Sequence, residues 1–275
     1  MTKSVNLNFH QTFAPEKEHL IKIISISEGS STLTKEEIFE QTNIPTGVRS
    51  GKVVPHIKYA EHMGLINSSV NDSKYLLSRT ALGDLVKKED PYMLEPLTEL
   101  LTHYFLTSKV FGAALWSYIF RSCVPVYGAE ISSVNMISAL ERHFGTKKIN
   151  LSPFRTSYLQ EKSALSTLSF LTLTTDSWIF SKQQIVRSYQ FLYAYTLLED
   201  WEQVFGERTE LSLDEISNNL GWNHAYLWDK KTTLDVLDLL ADAGIVSINR
   251  QLNPLIIIKN SKASEIQLKI YSMLL

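Results

Sequence analysis

Residues 34–66 read TKEEIFEQTNIPTGVRSGKVVPHIKYAEHMGLI, and this stretch decides the fold that the sequence predicts. Its first residues, Thr34 to Glu37, have the pattern of a capping box, in which a Thr hydroxyl and a Glu carboxylate each satisfy a backbone N–H at the start of a helix. A short helix should therefore begin after Thr34. Pro45 and Gly47 then predict a turn, because proline fixes φ and glycine tolerates positive φ.

A second helix follows this turn. Residues 50–63 carry apolar side chains at helical spacing, and Gly64 ends that pattern. Two short runs of strand-forming residues, starting at Leu65 and Tyr75, flank turn residues and predict a hairpin. Residues 15–27 supply a helix before the stretch. Helix, helix, turn, helix and hairpin is the order of a winged helix-turn-helix unit.

The same order recurs near the other end of the chain. Residues 212–215 (SLDE) form another capping box. A helix is predicted through 233–243 and is followed by Gly-Ile-Val at 244–246, just as the helix at 50–63 is followed by Gly-Leu-Ile at 64–66. Residues 248–258 predict the second hairpin, and the apolar pattern around 183–205 predicts the first helix of this unit. Two matching runs indicate two units of one kind.

The region between the two units predicts helices. Aromatic and leucine residues recur there every three or four positions, and an Asp-Pro pair at 90–91 predicts the start of a helix. Residues 151–182 fit a helix followed by a strand. The sequence thus predicts a mainly α (α+β) protein with two winged helix-turn-helix units flanking a central helical region. The expected domains are N-terminal winged-helix 1–88, central helical 89–180 and C-terminal winged-helix 181–275.

The composition excludes several classes of protein. A single cysteine, Cys123, excludes an internal disulfide and any zinc site built on two thiolates. The apolar stretches are interrupted by polar residues and are too short to cross a bilayer, so we expect a cytoplasmic protein that binds no membrane. The net charge is −2, which means that any contact with DNA must come from a local basic patch. No cofactor or metal is expected.

The first unit is the better candidate for such a patch. Basic and polar side chains cluster in its turn, its third helix and its hairpin, and few acids accompany them: Arg49, Ser50, Lys52, His56, Lys58, Lys74 and Arg79. In the second unit the third helix carries three aspartates, which phosphates would repel. Its loop and hairpin offer a secondary contact with DNA or with a protein partner through Asn223, His224, Lys230, Lys231 and Arg250.

The signatures of common enzyme classes do not appear in the sequence. There is no glycine-rich phosphate loop, nucleophile elbow or HExxH pair. A restriction-type nuclease needs an acid on one strand and an acid-x-Lys on the next, to hold Mg²⁺ and the attacking water. Only residues 72–74 (DSK) and 229–231 (DKK) approach the second half of that pattern. We therefore expect a protein that is not an enzyme.

Several short motifs resemble a bacterial family known as domain of unknown function 4007. They are residues 9–13 (FHQTF), 47–52 (GVRSGK), 64–66 (GLI), 77–83 (LSRTALG) and 90–92 (DPY). The sequence differs from the family pattern in having Ala-Pro-Glu at 14–16 and Arg-Ser at 49–50. Members of that family are encoded beside DNA-modifying anti-phage systems, including phosphorothioation modules with a sulfurtransferase. The resemblance implies an accessory role in such a system and supplies no catalytic residues.

Three hypotheses about function follow. The first is a non-enzymatic accessory subunit of a DNA-modification or restriction system that binds double-stranded DNA, with a protein partner encoded nearby and homodimerisation as an open possibility. In that hypothesis the third helix of the first unit enters the major groove. The second is a scaffold that docks a sulfurtransferase-like or nuclease partner without binding DNA. The third is a metal-dependent nuclease.

Overall fold

A computed structural model describes residues 6–47 and 51–274 of the chain. About half of the structure is helical, and the strands form small antiparallel sheets, so the protein belongs to the mixed α+β class. The described residues contain three sheets of three strands each, and in every sheet the strand that comes last in the sequence lies in the middle. Each sheet belongs to a run in which helical segments precede the first strand and two or more further helices precede the hairpin, and we call these runs the first, central and third units.

The first unit has the three helices and the hairpin that the sequence predicts, and in addition a strand, β1, that was not predicted. The capping box at Thr34 is present, since its hydroxyl accepts from the Glu37 N–H and the Glu37 carboxylate accepts from the Thr34 N–H. Asp72 and Ser73 have positive φ and make the tight turn of the hairpin. The elements are α1 (Lys17–Ile26), β1 (Glu28–Leu33), α2 (Lys35–Thr42), α3 (Val53–His62), β2 (Ile66–Asn71) and β3 (Lys74–Arg79), with β3 between β1 and β2.

Two helices connect the first unit to the central unit: α4 (Ala81–Glu89) and α5 (Pro96–Leu106). The prediction that a helix starts at the Asp90-Pro91 pair was wrong. Instead the Asp90 carboxylate accepts hydrogen bonds from the N–H groups of Leu94 and Glu95, at 2.8 and 3.0 Å, and α5 begins one residue later. All residues of α5 from Leu97 onward are buried, so this helix lies in the middle of the molecule.

The central region, predicted to be helical apart from a strand within 151–182, also contains a complete three-stranded sheet. Its strands have only three or four residues, too few for an alternating pattern to be recognised in the sequence. The predicted helix followed by a strand at 151–182 is confirmed. The elements are α6 (Ala114–Tyr118), a π-helical turn (Ile119–Cys123), α7 (Val124–Tyr127), β4 (Glu130–Ser132), α8 (Ser133–Phe144), α9 (Ser152–Leu159), β5 (Leu171–Leu173) and β6 (Ser177–Phe180).

The third unit contains the second predicted capping box. The Ser212 hydroxyl accepts from the Glu215 N–H at 3.1 Å, and the Glu215 carboxylate accepts from the Ser212 N–H at 2.8 Å. The helix that follows is π-helical over Glu215–Leu220. The remaining elements are α10 (Gln190–Phe205), β7 (Glu210–Ser212), α11 (Trp222–Ala225), α12 (Lys230–Asp242), β8 (Val246–Asn249), β9 (Ile256–Lys259) and α13 (Ala263–Gln267).

A buried polar cluster joins the central unit to the third unit. Arg121, on the π-helical turn, donates to the Gly221 carbonyl at 2.8 Å and to the Asp200 carboxylate of α10 at 3.3 Å. Tyr104 of α5 donates to the same carboxylate, and the Arg121 guanidinium lies 4.6 Å from the centre of the Tyr104 ring. Since all these side chains are buried, the cluster fixes the relative positions of four elements.

None of the helices in the described residues combines the length and the apolar character that a bilayer crossing requires.

Gly83 allows the close contact between α4 and the end of α3. A Cβ atom at Gly83 would lie 1.9 Å from the carbonyl oxygen of Leu65, so neither backbone segment can remain in place if a methyl group is added. We expect Gly83→Ala to lower the free energy of unfolding by about 3 kcal/mol, measured by chemical denaturation.

Ala81→Gly, in the same helix, is the matched control. Ala81 is exposed, so this change should lower the free energy of unfolding by less than about 1 kcal/mol. Equal stabilities of the Gly83→Ala protein and the wild type would show that α4 does not pack as closely as described.

Candidate nucleic-acid interface

The third helix of the first unit, α3, is covered by the rest of the molecule. None of its residues is exposed, and Val53, Ile57 and Ala60 are fully buried where it packs on α1 and α5. Tyr59 donates to the Phe13 carbonyl at 2.9 Å and meets Trp116 edge to face. A recognition helix needs one free face. The outer side chains of α3, Lys58 and Glu61, are 34% and 33% exposed, so the entry of α3 into the major groove stays a prediction.

His56 is a buried structural residue, contrary to its predicted contact with DNA. Its side chain has no exposed surface. The Nδ1 atom lies 2.7 Å from the Lys52 carbonyl, and Nε2 accepts from the Glu16 N–H at 3.1 Å. Both ring nitrogens are thus used by a neutral imidazole. Burial lowers the pKa of His56 from 6.5 to about 4, which agrees with this hydrogen bonding.

Three of the predicted DNA-binding cations of the first unit have carboxylate partners. Lys52 pairs with Glu16, and Lys58 pairs with Glu61 at 2.6 Å. Arg79 pairs with Asp84. Each pair places a negative charge beside the cation, so the unit presents less positive potential than its sequence suggested.

The other predicted residues of the first unit differ in position. Lys74 is exposed at the end of the hairpin, opposite Asn71, and has no carboxylate within 4 Å in the described part of the chain. Arg49 and Ser50 lie outside the described residues, so their predicted contacts with DNA stay predictions.

The predicted residues of the third unit lie in three places. Asn223 is buried and His224 is half-buried, and both line a cavity at the boundary with the central unit. Lys230 and Lys231 are exposed at the start of α12. Arg250 forms an ion pair with Asp238 across the third unit. Only the two lysines of this group are therefore free to meet a phosphate.

A cluster of unpaired positive charge lies on the central unit. Four exposed side chains, which we call the basic turn, have no carboxylate within 4 Å among residues 6–47 and 51–274: Arg142, Lys147, Lys148 and Arg155. They lie at the end of α8, in the connection 145–151 and on α9. Residues 133–175 contain five Lys or Arg and two Glu, a local charge of +3 in a chain of net charge −2.

Local interactions determine the shape of the basic turn. Gly145 ends α8 with a left-handed conformation, φ 65°, which glycine adopts without strain. The Asn150 amide donates to the Gln11 carbonyl at 3.1 Å, and the Asn8 amide donates to the Lys148 carbonyl at 3.3 Å. The basic turn is therefore attached to the N-terminal segment, while its charged groups remain in solvent.

The sequence contains a local pattern that indicates the basic turn, although the sequence prediction did not include this turn. The run 145–153, GTKKINLSP, has a helix-ending glycine and then a Ser-Pro pair of the kind that begins a helix. This is a helix-turn-helix pattern with two lysines in the turn. This pattern has neither a capping box nor a recognisable hairpin beside it, the two features from which the other units were predicted.

The residues considered for a nuclease have other roles. Asp72 forms the hairpin turn, and Asp229 caps α12, where its carboxylate accepts from the Thr232 N–H at 2.8 Å. In the described ranges, no three His, Cys, Asp or Glu side chains are grouped so that they could hold a metal ion.

Comparisons with known proteins concern the fold. The chain resembles an SspB crystal structure, with a TM-score of 0.74 and 15% sequence identity. It also resembles a magnesium ion-bound SspB crystal structure, with a TM-score of 0.73 and 14% identity. Each superposition covers 97% of this chain and 86% of the SspB chain. No protein-family model matches the sequence, and no curated protein is significantly similar to it.

The buried imidazole of His56 predicts a dependence of stability on pH. In the unfolded chain His56 takes up a proton below about pH 6.5, whereas in the folded protein it stays neutral down to about pH 4. Stability should therefore fall as the pH falls through this range, with a contribution from His56 on the order of 3 kcal/mol. Denaturation of His56→Gln at pH 7 and pH 4.5 should show a correspondingly smaller loss than that of the wild type.

His143→Gln is the control for this measurement. His143 is exposed and stacks on Tyr118, so its replacement should change the pH dependence much less. Identical pH profiles for the wild type and His56→Gln would mean that His56 is not held neutral.

Proposed function

We propose that this chain is a non-enzymatic, DNA-contacting accessory subunit of a bacterial DNA-modification or restriction system of the phosphorothioation type. The observation that carries the proposal is the basic turn, four exposed cations without carboxylate partners in the described residues. In the proposal these side chains contact the phosphates of double-stranded DNA. His56, which was first predicted for this role, does not take part, because its side chain is fully buried.

Electrostatics favours the basic turn over the first unit. A cation that already has a carboxylate within 4 Å must exchange that partner for a phosphate, whereas an unpaired cation releases only solvent and counterions when it binds. Lys58 and Arg79 belong to the first group, and Lys147 and Lys148 belong to the second. The basic turn is therefore the favoured contact on a molecule that is acidic as a whole.

The arrangement of the units also supports a role in DNA contact. In our proposal the first and third units are winged helix-turn-helix units, as their order of elements indicates, and the central unit is a third one. In such a unit the turn and the start of the last helix are commonly placed against DNA. Lys147, Lys148 and Arg155 occupy those positions in the central unit.

Two likenesses support the biological context of the proposal. The motif resemblance to the family of domain of unknown function 4007 implies genes of DNA-modifying defence systems as neighbours. SspB, whose fold this chain shares at low identity, is a protein of phosphorothioation systems, which fits a defence accessory role. We propose that the protein partner is another subunit of the same system.

A salt titration of duplex binding tests the proposal. Each phosphate contact contributes about 0.9 to the slope of log K against log salt concentration. Replacing all four residues of the basic turn by Gln should lower that slope by up to about 3.6 and weaken binding at low salt by at least about tenfold. Fluorescence anisotropy of a labelled duplex measures both quantities on the full chain.

Four exposed lysines elsewhere supply a control with the same change of charge: Lys35, Lys88, Lys262 and Lys269. Replacing these by Gln should leave the slope nearly unchanged, since they lie on the first and third units and the intervening α4. Absence of duplex binding by the wild type would contradict the proposed function. Equal losses in the two quadruple variants would show that only net charge matters.

The scaffold hypothesis is favoured by one observation, the acidic face of α12. Asp235 and Asp242 are exposed there and have no cationic partner within 4 Å in the part of the chain that the structure describes. Such a face suits a basic patch on a protein partner. A complex with a sulfurtransferase-like subunit that survives nuclease treatment but is lost on replacing both aspartates by Asn would support the scaffold role.

A further inference from the structure

A cavity of about 670 Å³ lies between the first unit and the third unit. The first unit and the following α4 contribute Ile66 and Leu82 to its lining, and α10 of the third unit contributes Tyr195 and Glu199. The cavity is large enough for a small organic molecule, and its lining combines apolar surface with a few polar groups, as is usual for a ligand site.

Aromatic rings form part of this lining. They are Phe105 of α5, Phe111 of the connection between α5 and α6, and Tyr195. The Phe111 segment is held in place because His62 Nδ1 donates to the Phe111 carbonyl at 3.0 Å. The faces of aromatic rings attract cations, so this lining favours a positively charged ligand over a negatively charged one.

The charge of the lining is negative. It contains the carboxylates of Glu61 and Glu199, and it contains no Lys or Arg. Glu61 already pairs with Lys58 at 2.6 Å and accepts from the Ser68 hydroxyl at 2.9 Å. Burial lowers the pKa of His62, so this side chain is neutral near pH 7. The charge of the lining that is left without a cation is therefore that of Glu199.

Glu199 is half-buried and has no Lys, Arg or His partner within 4 Å among residues 6–47 and 51–274. Its Oε1 accepts from the Gln203 amide at 3.4 Å, whereas its Oε2 accepts no hydrogen bond from the described residues and is not fully buried. Burial raises the pKa of Glu199, and the negative charges of Glu202 and Asp200 raise it further. A cationic ligand would relieve this unfavourable environment.

The Tyr195 hydroxyl is a second acceptor beside this carboxylate. Tyr195 is only 5% exposed and precedes Glu199 by one helical turn, so both side chains lie on the same face of α10. Burial raises the pKa of Tyr195, and the negative charge of Glu199 raises it further, which indicates that the two groups are close. The hydroxyl makes no hydrogen bond with the described residues, although it is not fully buried. A ligand N–H group could therefore donate to it.

We propose that this cavity binds an alkylguanidinium cation, whose N–H groups donate to the Glu199 carboxylate and the Tyr195 hydroxyl while its alkyl chain packs on the apolar lining. A guanidinium fits better than an ammonium, because it is planar, stacks on aromatic rings and is more weakly hydrated. It can also donate two parallel hydrogen bonds to one carboxylate. The cation can come from a free small molecule or from an arginine side chain of another protein.

This inference does not depend on the proposed function, because neither the basic turn nor DNA contributes to the cavity. The test titrates the full chain with butylguanidinium and follows binding by NMR chemical shifts. Butylurea is the matched control ligand, since it has nearly the same shape but no charge. We expect butylguanidinium to bind at least about tenfold more tightly than butylurea, as a hydrogen bond to a charged group is stronger than a neutral one.

A third ligand separates the two sources of the cation. N-acetylarginine N-methylamide carries the same guanidinium on a segment of polypeptide backbone. If it binds as tightly as butylguanidinium, the cavity accepts an arginine of a protein partner. If only butylguanidinium binds, the cavity is a site for a free small molecule.

Glu199→Gln tests the charge that the inference requires. The change keeps the size of the side chain, and it should weaken butylguanidinium binding by at least about tenfold. Glu207→Gln is the matched control, because Glu207 is exposed just after α10 and is not part of the lining. We expect this control to bind butylguanidinium as the wild type does.

Asn67→Trp tests the location of the site. Asn67 lines the cavity from β2, so an indole at this position should fill part of it and weaken binding. Ser69→Trp is the matched control, because Ser69 is exposed on the same face of β2 and is not part of the lining. Thermal unfolding shows whether each variant is folded, and Glu199→Gln decides alone if Asn67→Trp is not. The inference is overturned if butylguanidinium does not bind the wild type, if butylurea binds equally well, or if Glu199→Gln or a folded Asn67→Trp binds it as tightly as the wild type does.

Discussion

The buried ion pair between Arg121 and Asp200 is the interaction on which the arrangement of the central and third units depends. Arg121 lies on the π-helical turn of the central unit, Asp200 lies on α10, and the same guanidinium donates to the Gly221 carbonyl. Burial raises the pKa of Asp200, whereas Arg121 and Tyr104 act against that rise by stabilising the carboxylate. Because breaking a buried pair leaves a charge without water or partner, these elements are held in one arrangement.

That arrangement decides which surface of each unit is free. The three units have the same order of strands, yet the last helix of the first unit, α3, packs on α1 and α5 and has no exposed residue. In the central unit, the end of α8 and the connection to α9 face solvent. Equivalent positions in the units therefore differ in what they can contact, and the difference arises from packing rather than from topology.

Local features were predictable from the sequence, because they depend on neighbouring residues. The capping boxes at Thr34 and Ser212, the hairpin turn at Asp72 and the end of α8 all follow from a few side chains. Two kinds of feature were not predictable in this way. The strands of the central sheet have three or four residues and carry too little pattern. The carboxylate partner of Lys52 is Glu16, from a distant segment that only the fold brings near.

The pairing of charges matters more than their sum for a molecule of this kind. At physiological ionic strength the Debye length is about 8 Å, so distant carboxylates have little effect on an exposed cation, whereas one within 4 Å nearly cancels it. A net charge of −2 therefore neither favours nor prevents local binding of a polyanion. Lys147 and Lys148 remain unpaired among the described residues, while Lys58 faces Glu61 at 2.6 Å. The number of cations in a sequence segment therefore overestimates the positive potential of that segment wherever carboxylates lie within 4 Å of those cations in the folded protein.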